Sequence, residues 1–477
     1  MCNASAGTSL SSPLSATGEQ MIQLDSTLQY ADLLPAIDRM WERSAACLNS
    51  IDQTWSPEQG SLVFTVRGRY TAQGWTEWTQ GFQFGSALLQ YDATGEDSFL
   101  QRGRQRTWEL MAPHVSHIGV HDHGFNNVST YGALRRLMLE GRISYDAGEL
   151  AFYELALKTS GAVQASRWSR THSGGGYIYS FNGPHSLFAD TIRSLRSLAI
   201  AHLLGHRLDA ENDEKISLLD RLIEHARTTM EYNVYFGEGR DLYDVRGRVA
   251  HESLFNRNDG RYRCPSSQQG YSPFTTWTRG AAWIMCGYAE QLEFLRELPD
   301  EAFSRWGGRS DVEAWMLKAA RATCDYYLSE TPSDGVPYWD TGAPGLVHLG
   351  DYRNRPADPF NDYEPVDSSA AAIAAQALIR LGLFLGSEGA AYTQAGLTML
   401  KTLLAEPYLN QDPEHQGLLL HSIYHRPRNW DYVPEGSRIP RGEACMWGDY
   451  HLREVALLVQ RLARNEPYYT FFGPVKS

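Results

Sequence analysis

The chain has 477 residues, 42% hydrophobic and 21% charged, with a formal net charge of −13 at pH 7. That length is enough to bury a large core. The acidic balance, with no basic run, excludes a nucleic-acid binder and any general attraction to anionic polymers. An anionic ligand would need locally placed Arg, Lys or helix N-termini.

In chain order, residues 1–24 are rich in Ser, Ala, Gly and Thr, with neither a basic n-region nor an apolar h-region. They read as a disordered tail rather than a signal peptide. Apolar residues then recur at helical spacing over 32–49, 79–93, 96–111, 124–139, 145–160, 187–206, 213–229, 276–298, 310–329, 366–385, 389–404 and 445–463. Gly95, Gly141, Gly205 and Gly386 punctuate the pairs. Twelve helices in consecutive hairpins, with few convincing strands, predict an all-α fold. The predicted architecture is an (α/α)6 barrel forming one domain over 25–477. No fixed repeat period supports an open solenoid.

The even-numbered helices carry the unusual residues near their starts. Trp75 and Trp78 lie at the second helix and HDHGF (121–125) at the fourth. Asp190 opens the sixth, and Trp277, Arg279 and Trp283 the eighth. Asp367 precedes the tenth, and Trp447 and Asp449 begin the twelfth. With the even helices inside, these starts gather at one mouth. Helix N-termini there favour a carboxylate ligand. Asp and Ser as simple caps explain single positions but not the bias towards alternate helices.

The six cysteines form no CxxC pair, which speaks against a zinc site and for reduced thiols in a cytoplasmic protein. No apolar run reads as long enough to span a membrane. The aromatic content of 12%, with 13 Trp and 26 Tyr, suits the apolar faces of sugar rings.

Several motifs resemble those of the unsaturated glucuronyl hydrolases. They are HDHGF at 121–125, FADTIRSL at 188–195, QGYSPFTTWTRGAAW at 269–283, YWD at 338–340, VDSSAAAI at 366–373 and MWGDYHL at 446–452. Each is moderately specific; their order and spacing together are much more so. The resemblance implies an (α/α)6 barrel that removes a non-reducing-end 4,5-unsaturated uronic acid from lyase-made oligosaccharides. The implied chemistry hydrates the C4=C5 vinyl ether, with a proton to C4 and water to C5. No metal or organic cofactor, nucleic acid or membrane partner is implied.

By that resemblance, Asp190 matches the general acid/base, and its apolar neighbours Leu187, Phe188 and Ile192 should raise its pKa. Asp122 matches the second essential aspartate. Which of the two holds the proton stays open, because a coupled pair titrates jointly. Arg279 is the candidate clamp for the sugar carboxylate, its alternative being a buried ion pair with Asp367 or Asp449. Gln269 and His251 would bond ring hydroxyls or the carboxylate. Trp78, Trp277 and Trp283 would line the pocket, with core packing as their alternative. Gln268 stands where the family often has His, Phe181 where it often has Trp, Gln80 where an acidic residue is common, and His123 where an aliphatic one is usual. Competing functions are hydrolysis of saturated glucuronides or other glycosides on the same barrel, and non-catalytic uronide binding.

Overall fold

The computed structural model describes residues 22–73 and 77–475. Trp75, Cys2 and most of the expected tail lie outside the described residues. Ile22 is already buried, and the Gln23 N–H donates to the Ser333 carbonyl at 3.0 Å. The packed chain therefore starts ahead of the boundary drawn at residue 25.

The protein is predominantly helical. Its principal helices are α1 (Leu34–Thr54), α2 (Gln80–Thr94), α3 (Asp97–Leu110) and α4. The last runs through 123–139 as His123–Asn126, a π-helical turn Val128–Gly132 and Ala133–Leu139. There follow α5 (Ala147–Ser166), α6 (Thr191–Ser194 and Arg196–Leu203), α7 (Leu218–Tyr232) and α8 (Thr278–Arg296). The series closes with α9 (Arg309–Glu330), α10 (Ser368–Leu385), α11 (Ala390–Leu403) and α12 (Met446–Ala463). Each corresponds to a helix expected from periodicity. The four punctuating glycines all adopt positive φ, between 61° and 75°, a region that costs glycine little.

Short strands were under-read. The longest sheet among the described residues pairs Ser186–Phe188, Glu252–Phe255 and Tyr262–Ser266. Its first strand takes residues 187 and 188, which periodicity assigns to the sixth helix. A run of three or four apolar residues does not distinguish strand from helix.

Even-numbered helices pack on one another in the order α2, α4, α6, α8, α10, α12 and back to α2. Odd-numbered helices pack against them: α3 on α2, α5 on α4 and α6, α9 on α8, α11 on α10. Packing on several sides explains a sequence property. α10 and α12 are buried on almost every face, as expected of a helix surrounded by protein. The stretch Ser368–Leu403, which covers α10 and α11, is long and apolar enough by length and composition to cross a membrane, and its most apolar part is mostly buried in the protein. This corrects the expectation that no run is long enough.

Close helix approach depends on glycine. A Cβ on Gly124 would lie 2.0 Å from the Ser194 carbonyl oxygen, so only glycine lets α4 touch α6. Between α6, α8 and α12, Arg193 donates to Glu290 at 2.9 and 3.0 Å and to Glu454 at 2.7 Å, all buried.

Candidate active site

A cavity of about 430 Å³ opens at the mouth where the even helices begin. Asp122 and Asp190 sit at the N-cap positions of α4 and α6, yet neither side chain makes a cap hydrogen bond. Asp146 and Asp367 do cap their helices. The two site carboxylates are therefore not consumed by local structure.

The segment bearing Asp122 is pinned to α5 and α6. The His121 carbonyl accepts from Ser194 Oγ at 2.6 Å and Gln164 Nε2 at 2.7 Å. Ser194 Oγ in turn accepts from the Gly124 N–H at 3.0 Å, and Arg196 donates to the Gly124 carbonyl at 3.0 Å. This clamp brings the two aspartates together. One ligand-capable atom each from His121, Asp122 and Asp190 lie within 4.8 Å of one another. His121 Nε2 is 3.7 Å from Asp122 Oδ1 and 3.6 Å from Asp190 Oδ1.

The electrostatics separate the pair. Burial, reinforced by the Asp190 charge and opposed by His121, pushes the Asp122 carboxyl above its ordinary range. Burial also acts to raise Asp190, but His121 and then His251 outweigh it and hold Asp190 below the ordinary range. This corrects the expectation that apolar neighbours raise Asp190: the imidazole beside it is the larger influence in sum. His121 is raised, because Asp122 and Asp190 together overcome the opposing effect of its burial.

Trp78, Trp277, Trp283, Gln268, Gln269 and Phe181 line the cavity. Trp78 stacks on Trp447 at 5.0 Å, and Trp283 packs against Phe125 at 5.0 Å. Phe181 is 46% exposed at the rim, its ring parallel to His121.

Two sequence expectations need correction. Arg279 lines the cavity, but it is 1% exposed and its guanidinium is committed to partners. Its Nη1 donates to Asp367 Oδ2 at 2.8 Å and to the Ile423 carbonyl, its Nη2 to the Tyr424 carbonyl at 2.7 Å and Gln269 Oε1 at 3.1 Å. Its Cζ lies 4.7 and 4.9 Å from the Trp277 and Trp447 ring centres. A guanidinium so engaged has no bidentate face left for a ligand, so the alternative, an ion pair with Asp367, is what is observed. Asp449 instead accepts from Tyr70 Oη at 2.9 Å and the Leu418 and Leu419 N–H groups. His251 is not among the lining residues. Its Nδ1 accepts from the Gln268 N–H at 2.9 Å, so it supports the loop carrying both glutamines. His123, the departure from an aliphatic position, is buried against Ser160 and the His117 carbonyl.

Sequence reasoning missed part of the wall: Tyr424, His425, Arg428 and Trp430, from the segment between α11 and α12. It has no helical period. The run YHRPRNWDY, dense in aromatic and basic residues, was the available signal. Arg428 is exposed and lies over the Trp430 ring at 5.1 Å.

No family model matches the chain. An unsaturated glucuronyl hydrolase of Formosa agariphila is 25% identical over 392 residues, 81% of this chain and 80% of that protein. An unsaturated chondroitin disaccharide hydrolase of Streptococcus agalactiae is 22% identical over 405 residues, 82% and 84% of the two chains. The crystal structure of the unsaturated glucuronyl hydrolase of Bacillus sp. GL1 superposes with a TM-score of 0.67 at 22% identity, covering 92% of this chain and 99% of that one. Fold and relatives together place the chain among the hydrolases, as an enzyme of the glycosidase class. Relatives and structural neighbours alike name one family, the unsaturated glucuronyl or chondroitin disaccharide hydrolases, the family its motifs resemble.

Proposed function

We propose that this enzyme removes a 4,5-unsaturated uronic acid from the non-reducing end of an oligosaccharide by hydrating its vinyl ether. The observation that carries the reading is the pair of buried carboxyls, Asp122 and Asp190, uncommitted to capping and close together in a tryptophan-walled cavity. The packing order of the even helices supports the (α/α)6-barrel form of the fold.

In this reading the protonated carboxyl of the pair delivers its proton to C4. The ionised one orients a water towards C5 and takes the proton that water gives up. The hydroxyl left on C5 makes a hemiketal, which opens and releases the leaving sugar as an alcohol. The indole faces of Trp78 and Trp283 exclude bulk water and hold the ring. Gln269, its Oε1 engaged by Arg279, keeps its amide N–H groups for the ligand. The exposed Arg428 guanidinium offers a cation for the uronate or another anionic group. Five free thiols among the described residues, four of them buried, support a reducing compartment such as the cytoplasm.

Direct hydrolysis of a saturated glycoside needs carboxyls roughly 6.5–9.5 Å apart for inversion or about 5–5.5 Å for retention; one oxygen of each carboxyl here lies within 4.8 Å of the other, closer than inversion needs, so a saturated aryl glucuronide is the discriminating control. The test is a panel of lyase-made disaccharides from several polysaccharides, followed by loss of their ultraviolet absorbance. Absorbance should fall with at least one fragment, and Asp190→Asn should lose turnover by roughly 10²–10⁴-fold while still binding it. Unchanged absorbance across the panel, or cleavage of a saturated aryl glucuronide instead, overturns the reading.

A further inference from the structure

His121 is 1% exposed, and neither ring nitrogen has a hydrogen-bond partner among the described residues. A buried imidazole whose nearest charged neighbours stand beyond 3.5 Å is costly to keep, so its retention calls for a physical reason. Its Nε2 stands 3.7 Å from Asp122 Oδ1 and 3.6 Å from Asp190 Oδ1. Asp190 Oδ1 itself has no hydrogen-bond partner. The ring is held by its own backbone, through Ser194 and Gln164, and is flanked by the Phe181 and Phe188 rings. The Nε2 atom is nearly equidistant from the two carboxylates.

We infer that His121 is a positioning residue that serves as an electrostatic pivot between the two aspartates, stabilising the ionised form of whichever one lacks the proton. The inference rests on the proposed hydration chemistry and deepens it. During that reaction the carboxyl that protonates C4 becomes ionised, and its partner becomes protonated by the attacking water. The charge crosses from one carboxylate to the other while the number of protons on the three groups stays constant. An Nε2–H almost equally far from both follows the charge without moving. A hydrogen bond to only one aspartate would favour one end of the reaction and oppose the other.

The groups that bear on His121 are few. Asp122 and Asp190 favour its charged form, Arg167 at the end of α5 opposes it, and His121 in turn bears on His251 and on His225 of α7. The two carboxylates outweigh the burial of the ring, so the charged form holds to higher pH than in an ordinary histidine.

The test is a ¹⁵N-histidine NMR titration of the full chain, with His121 assigned by comparison with His121→Gln. In the native enzyme its midpoint should lie above the ordinary histidine value of about 6.5. In Asp122→Asn and in Asp190→Asn, each close to isosteric, the midpoint should fall by about one unit or more. The kinetic companion is His121→Gln, whose kcat should fall with KM nearly unchanged and whose pH–rate profile should shift, a change that a packing role would not produce. A His121 midpoint unmoved in both aspartate variants overturns the inference, as does one that responds to only one of them. The titration needs no substrate. Lack of turnover on every unsaturated fragment would therefore overturn the proposed function and leave this result to be read on its own.

Discussion

Replacing Arg279 by methionine tests whether that side chain is a structural bolt or a substrate clamp. In the folded protein the guanidinium satisfies Asp367, two carbonyls and Gln269 from a fully buried position. Methionine retains much of the packing volume between Trp277 and Trp447 but leaves the Asp367 carboxylate buried without its counter-charge. Breaking a buried pair from one side costs about 3–5 kcal/mol. An unfolding entropy of roughly 2.1 cal/mol/K per residue gives ~1 kcal/mol/K for a chain of 477 residues. Differential scanning calorimetry should then show Tm lower by about 3–5 °C. The double variant Arg279→Met/Asp367→Asn removes the stranded charge yet keeps the cap of α10, and should recover most of the loss. An Arg279→Met protein with native Tm and only a raised KM would refute the argument, because it would show that the guanidinium is free to hold the ligand.

Two further outcomes follow from the same site. Arg428→Ala should raise KM for an anionic unsaturated disaccharide by roughly tenfold, the worth of a charge-assisted hydrogen bond, with kcat and Tm near native; unchanged KM in steady-state kinetics would remove Arg428 from ligand binding. Asp340 is fully buried and accepts from the Tyr271 and Gly342 N–H groups at 2.8 and 2.9 Å, but burial still pushes its carboxyl up to about 6. An acid raised above its unfolded value of 3.8 contributes stability that is present below that value and lost as pH rises through about 6. Urea unfolding should therefore show Asp340→Asn gaining on the native protein by up to ~3 kcal/mol between pH 4 and pH 7. A difference that is flat or of opposite sign across that window contradicts the assignment.

Helices and their order were legible in the sequence because periodicity is a local property: an apolar stripe every three or four residues shows wherever a helix buries a face. Gly95 and Gly386 marked helix ends for the same local reason, a backbone turn that side chains oppose. Asp122 and Asp190 could be singled out, since each opens an apolar inner helix within a motif. What Arg279 touches was beyond the sequence. Its partners Asp367, Ile423 and Tyr424 lie 88 to 145 positions away, and only the packing of α8, α10 and the segment before α12 brings them to it. Protonation was equally out of reach. Leu187 and Phe188 suggested a raised Asp190, but His121 comes within 3.6 Å of that carboxylate only because Ser194 and Gln164 hold its backbone against α5 and α6. Local pattern determines where helices form and which residues stand at their ends. Electrostatics falls off with distance in space rather than along the chain, so charge, proton and clamp were decided by the tertiary structure.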